Sequence, residues 1–177
     1  MASVDPNKIL LEIVTPKGRA LSETVDEVNA PAVGGEFGVL PGHLPMLAAL
    51  RTGIVTWRTG NDAHKCAVGN GFVEAGSNKL LLLTEEFTMR DTIDPIVVRK
   101  ELAEVQAQIA KMDASLDDRR LPDWVERKNA LIAKENWLAA ELELYGDPPP
   151  ATMRPYEEYG PPEPTADEDL PEGGAES

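Results

Sequence analysis

Between Lys8 and Phe87 the apolar residues fall in short runs broken by turn-forming residues. The runs Ile9 to Val14, Val25 to Ala30, Ile54 to Arg58, Lys65 to Val68, Phe72 to Ala75 and Leu80 to Leu83 predict strands. Pro16-Lys17-Gly18, Gly60-Asn61-Asp62 and Gly76-Ser77-Asn78 punctuate them; Pro presets φ for a turn, and Gly and Asn tolerate positive φ. Short strands at a spacing of about 8–12 residues with such turns indicate an all-β sandwich or barrel.

At Thr92 the period changes. Asp94 can accept backbone N–H bonds as an N-cap, and Pro95 has the fixed φ suited to the first helical position. Val98, Leu102, Val105, Ile109, Met112 and Leu116 then recur at alternating steps of four and three, one apolar stripe on a helix. Asp117 to Pro122 interrupts the pattern, and a second stripe runs through Trp124, Leu131, Leu138, Leu142 and Tyr145 to Gly146, a residue suited to a left-handed C-terminal cap. Two matched stripes joined by a short link predict an antiparallel αα-hairpin. Leu121 offers no capping oxygen, so the second helix is expected to start a turn earlier or to fray.

Beyond Asp147 the chain turns proline-rich and acidic, with Pro148-Pro149-Pro150, Pro161-Pro162 and Ala166-Asp167-Glu168-Asp169. Its apolar residues are too few to offset an ordering cost of about 1–2 kcal/mol per residue, which predicts a disordered tail. The pattern therefore divides the chain into a β domain over 1–91, a helical hairpin over 92–146 and a tail over 147–177.

Composition narrows the function classes. The 177 residues carry 17 Lys and Arg against 31 Asp and Glu, a formal net charge of -14. A field of that sign repels phosphate backbones and anionic headgroups, so neither nucleic acid nor a bare membrane surface is an expected partner. Cys66 is the single cysteine, which rules out an intrachain disulfide and a thiolate metal cluster. Met1 to Asn7 lacks a basic stretch followed by an apolar run, and no segment approaches the roughly 20 apolar residues of a membrane span. The expectation is a protein that is not exported and meets a membrane only through partner proteins.

Catalytic chemistry is poorly supplied. A nucleophile needs an adjacent base, and the only imidazoles are His43 and His64. His64 follows a polar turn and reads as a solvated residue. Gly34-Gly35-Glu36-Phe37-Gly38 lacks the lysine and hydroxyl of a phosphate-binding loop and precedes Val39-Leu40-Pro41 rather than an amphipathic helix. Those glycines read as a tight turn between strands. Glu85-Glu86 and Asp117-Asp118 read as solvated acidic pairs. No cofactor and no catalytic residue is expected.

One block of sequence is more specific. Val28-Asn29-Ala30-Pro31, Gly35-Glu36-Phe37-Gly38-Val39-Leu40-Pro41-Gly42-His43, Leu44-Pro45-Met46-Leu47 and Leu50-Arg51-Thr52-Gly53 closely resemble the ATP synthase epsilon subunit family. Val68-Gly69-Asn70-Gly71-Phe72-Val73-Glu74-Ala75, with Asn78 and Leu80 to Thr84, resembles its later strands, although Asn70 stands where glycine is usual. The likeness covers about Ile9 to Tyr145; in the hairpin it is one of position and pattern, and it does not extend to the tail.

The resemblance implies an α+β chain: a flattened sandwich of about ten strands followed by the two-helix hairpin. It implies a non-catalytic central-stalk subunit at the cytoplasmic face of a bacterial inner membrane. The sandwich would bind the gamma subunit and the c-ring, with Glu36 and His43 on the rotor-facing loop. The hairpin would restrain ATP hydrolysis by extending toward the alpha and beta subunits, where Arg119, Arg120, Arg127, Lys128 and Lys134 form a basic cluster in an acidic chain. About 50 helical residues at 1.5 Å each would span roughly 75 Å. Glu126, Glu135 and Glu141 are the alternative partners of that cluster within a solvated helix.

Two other readings compete. Some family members bind ATP on the hairpin through Ile-Asp, two residues, then Arg-Ala. Here Ile93-Asp94 is kept but Val97 stands in place of the arginine, and Arg99 is displaced by two positions, roughly 200° around a helix. The other is a generic adaptor with a β body and a helical hairpin, which gives no reason for the loop from Glu36 to Pro45.

Overall fold

The computed structural model describes residues 5–115 and 119–148. Ten strands come first: β1 (Ile9–Thr15), β2 (Gly18–Val25), β3 (Glu27–Ala32), β4 (Gly35–Val39), β5 (Met46–Leu50), β6 (Gly53–Thr59), β7 (Asp62–Val68), β8 (Gly71–Gly76), β9 (Lys79–Thr84) and β10 (Phe87–Met89). A 3-10 turn at Arg90–Thr92 leads into helices α1 (Pro95–Ala114) and α2 (Trp124–Tyr145). The α+β architecture expected from the sequence is the one observed.

All ten strands share one hydrogen-bonded sheet in the order β10-β7-β6-β3-β5-β8-β9-β1-β2, with β4 pairing β3 at the side. The sheet folds over on itself, and Trp57 Nε1 of β6 donates to Glu23 Oε2 of β2 across the layers at 2.8 Å. Inward residues Ile9, Leu11, Ile13, Val55, Trp57, Val73, Leu80 and Leu82 fill the space between, each at most 2% exposed. Pairing is antiparallel except for β1 with β9.

Four strands escape the hydrophobic pattern. In β2 only Val25 is buried and most other side chains face solvent, because β2 closes one end of the strand order. The expected strand Val25 to Ala30 is instead the end of β2 and most of β3, divided at Asp26, whose carboxylate takes the Lys8 ammonium and the Gly60 N–H. β4 is rich in glycine, β5 leaves Leu47 and Ala49 exposed, and β10 is three residues long.

The hairpin obeys its capping signals. Asp94 Oδ1 accepts from the N–H groups of Ile96 (3.0 Å) and Val97 (3.3 Å), Pro95 opens α1, and Gly146 ends α2 at φ 104°. Helix α2 begins at Trp124, after Asp123, whose side chain makes no capping bond. The first stripe is buried from Val98 to Met112. The second is wider than its apolar spacing suggests: Leu131 and Tyr145 are only half-buried, while Ile132, Glu135, Asn136, Ala139, Ala140 and Leu144 are buried. Helix α2 has two covered faces, one against α1 and one against Ile54 of β6 and Ala67 of β7. Leu116, the Asp117-Asp118 pair and the tail from residue 149 onward lie outside the described residues.

Candidate functional site

The outward face of β5, β8 and β9 carries apolar side chains with no protein over them. Ala49 pairs with Phe72, Phe72 with Leu83 and Leu83 with Val14, so one row crosses four strands. Leu47 is 73% exposed, Phe72 57% and Leu83 47%. Val33, Leu40 and Leu44 are exposed in the adjoining turns. An apolar face of this kind marks an interaction site. The expected site residues did not include it. The signal was present in Leu80-Leu81-Leu82-Leu83, a strand apolar on both faces rather than alternating, which indicates cover on both sides.

Glu36 and His43 occupy adjacent segments. Glu36 is the second residue of β4, exposed and opposite Pro31, so it sits in a β-hairpin strand rather than in the loop expected for it. Val33 and Gly34 make the turn of that hairpin, as the glycines imply, and Gly35 takes φ 123°. His43 lies in the β4–β5 connection, where its N–H bonds Leu40 O at 3.1 Å and its Nδ1 lies 2.7 Å from Leu44 O. Asn78 pins this connection, because its Oδ1 accepts from Gly42 N at 2.7 Å while its Nδ2 donates to Pro6 O at 2.9 Å. His64 is exposed on β7 and stacks on Trp57 with ring centroids 5.6 Å apart.

The five basic residues divide by environment. Lys128 is 7% exposed; its Nζ lies 2.7 Å from Asp113 Oδ1 of α1 and 4.8 Å from the Trp124 ring centre. Lys134 pairs with Glu101 of α1 at 3.5 Å. Arg119 is half-buried and donates to Asp113 O, whereas Arg120 and Arg127 are exposed. In the closed hairpin, then, Lys128 and Lys134 pair across to α1.

Acidic groups gather at the other end of the hairpin. Burial, and then the charges of Glu86 and Glu101, push the half-buried Glu141 carboxyl up to about 7. Burial followed by Glu85 raises Glu86 as well, so the Glu85-Glu86 pair is not simply solvated. Near the hairpin entrance Ile93 is buried, Asp94 spends its carboxylate on the helix cap and Arg99 ion-pairs with Asp147. Burial pushes the Cys66 thiol up to about 12, which leaves it unreactive. Among the described residues no group of His, Cys, Asp and Glu could hold a metal ion, and no helix is long and apolar enough to cross a membrane.

The chain is similar to known proteins over its β domain and part of its hairpin. The family model described as the beta-sandwich domain of the ATP synthase delta/epsilon chain matches residues 8–90. ATP synthase epsilon chain 2 of Syntrophotalea carbinolica is 40% identical over 105 residues, covering 59% of this chain and 76% of that one. The ATP synthase epsilon chain of Nitratidesulfovibrio vulgaris strain DP4 is 38% identical over 117 residues, 66% of this chain and 87% of that one. In fold, the chain is similar to one in the cryo-EM structure of the Euglena gracilis mitochondrial ATP synthase, with a TM-score of 0.54 at 21% identity over 83% of this chain and 82% of that chain.

Proposed function

The chain belongs to the ATP synthase epsilon chain family, and from that premise we propose that it docks in the central stalk through the outward face of β5, β8 and β9. As an epsilon chain it is a non-catalytic subunit of the complex that makes ATP. The observation that carries the docking surface is the exposed apolar row through Phe72 and Leu83 with Leu47 beside it. Its partner is the gamma subunit. Glu36 and His43 on the neighbouring β4 and β4–β5 connection meet gamma and the c-ring, so the subunit helps couple c-ring rotation to gamma. The complex then holds it at the cytoplasmic face of the bacterial inner membrane.

The test is co-purification of the full chain with gamma. Leu47→Glu with Phe72→Glu lies on exposed positions, where substitutions usually change stability by no more than about 0.5 kcal/mol, so the chain stays folded and gamma is lost. Glu36→Lys with His43→Asp weakens docking to the assembled rotor. Undiminished gamma binding by the folded Leu47/Phe72 variant overturns the assigned face.

The hairpin adds restraint of ATP hydrolysis. Laid end to end, helices of 20 and 22 residues span about 63 Å at 1.5 Å per residue, enough to carry Arg119, Arg120, Arg127, Lys128 and Lys134 toward the alpha and beta subunits. Opening breaks the Lys128–Asp113 and Lys134–Glu101 pairs, and these lysines then look for other acidic partners. Alanine at all five positions raises ATP hydrolysis by the reconstituted enzyme and flattens its salt dependence. Exposed Arg120 and Arg127 give the cleaner variant, because their replacement leaves both cross-helix pairs in place. Equal hydrolysis by mutant and wild type at every salt concentration, with normal incorporation, removes the cluster from the inhibitory contact.

A further inference from the structure

At the closed end of the hairpin, α1 and α2 leave a groove of about 660 Å³ between them. Met112, Ala130 and Leu131 are its apolar residues, and Lys111, Arg127 and Lys134 supply its cations, with Gln108 beside them. All three cations are exposed. In a chain of net charge -14 this concentration of positive charge on a partly apolar surface calls for an acidic ligand with apolar side chains.

The chain itself contains one. Residues 149–177 hold eight of the 31 Asp and Glu but one of the 17 Lys and Arg, so half of the net charge of -14 resides in them. Within that stretch Tyr156-Glu157-Glu158-Tyr159 puts two carboxylates between two aromatic rings. We propose that the groove between α1 and α2 is the docking site of segment 149–177 of the same chain, with Tyr156-Glu157-Glu158-Tyr159 seated in it. Glu157 and Glu158 meet Lys111, Arg127 and Lys134 in charge-assisted contacts, while the tyrosines cover Met112 and Leu131.

Geometry permits the return. Measured along α2 at 1.5 Å per residue, Tyr145 lies about 17 Å from Lys134 and about 27 Å from Arg127. The nine steps from Pro148 to Glu157 reach about 30 Å when extended. Three of the first prolines, Pro148-Pro149-Pro150, stiffen that path and lower the ordering cost of docking. Because the groove is built from both helices, its occupant bridges them and favours the closed hairpin. The docked segment also covers Arg127 and Lys134, two of the residues assigned above to the inhibitory contact. The docking itself is independent of that assignment and is tested without the rest of the enzyme.

The experiment uses the full chain with Gly160→Cys carrying a nitroxide. Native Cys66 is buried with its thiol pushed up to about 12 and stays unlabelled. At low salt the amide signals of residues 108–112 and 127–134 are lost to paramagnetic broadening, and they return at 1 M salt, where screening acts within about 3 Å. Glu157→Gln with Glu158→Gln abolishes the broadening without touching the hairpin. Lys111→Gln with Arg127→Gln does the same from the groove side. Broadening centred on any other surface, or spread evenly over the chain, overturns the proposal. So does broadening of the groove signals in a mixture where the nitroxide and the isotope label are on different molecules, since the occupant is then a second copy.

Discussion

Gly71 has no room for a methyl group. A Cβ built there falls 1.8 Å from Leu83 O, across the β8–β9 ladder that also carries the exposed Phe72 and Leu83. Gly71→Ala therefore destabilises the β domain by at least about 3 kcal/mol, the upper end of overpacking costs, and thermal unfolding measures it. A melting temperature within a few degrees of wild type would mean that β8 and β9 separate easily at this point. Neighbouring Asn70 shows where the sequence stops being informative. Its place beside Gly71 invites a demand for glycine, yet Asn70 keeps an ordinary negative φ, so backbone freedom is not what the position needs. Its Oδ1 accepts from Thr52 N at 3.0 Å and Thr52 Oγ1 at 3.2 Å, tying the β5–β6 turn to the β7–β8 turn. A partner 18 residues away leaves no mark on local pattern. Glu36 and His43 were proposed from a long contiguous block of sequence, which did not reveal that Glu36 lies in strand β4.

Helix α2 is the element whose spacing misleads most. Its apolar repeat leaves out Glu135, which faces Gln106 of α1, and Asn136, Ala139 and Ala140, all of them buried. Small and polar residues do not register in an apolar repeat, so only part of the buried surface could be read in advance. Glu135 is satisfied in part by Gln106 Nε2 of α1 at 3.2 Å. Glu141 is different, because half-burial and the nearby charges of Glu86 and Glu101 make its ionised form unfavourable in the closed hairpin. Its carboxyl is raised, so the folded state holds the proton more tightly than the unfolded chain does. Its contribution to stability is fully present below the ordinary carboxylate range and is lost as pH rises through about 7. The raised Glu86 acts with the same sign. Melting curves between about pH 5 and pH 8 will show this decline, and Glu141→Gln will reduce it. An identical slope in the variant would assign the pH dependence to other groups.

Among the described residues of the whole molecule there are two hydrophobic cores. Sandwich residues such as Ile13, Trp57 and Leu82 belong to one; Ile109, Ile132 and Leu142 of the hairpin belong to the other, which borrows Ala67 from β7. The division at about residue 92 drawn from the sequence predicts that a chain ending at Ile93 unfolds cooperatively and still binds gamma, at a lowered melting temperature because Ile54 and Ala67 lose their cover. A broad, non-cooperative melt of that fragment would make sandwich and hairpin a single unit. Fold class was readable because turns, caps and period change are local signals; the sheet order was not, because β1 next to β9 is a long-range choice. That pairing governs how the chain is born. Leu11 and Ile13 find their parallel neighbours Leu80 and Leu82 only after about 70 more residues have been made. At roughly 5–20 residues per second, the amino-terminal strand emerges from the ribosome and waits several seconds with its apolar face bare. It is during this interval, before β9 arrives, that the nascent subunit most needs a chaperone.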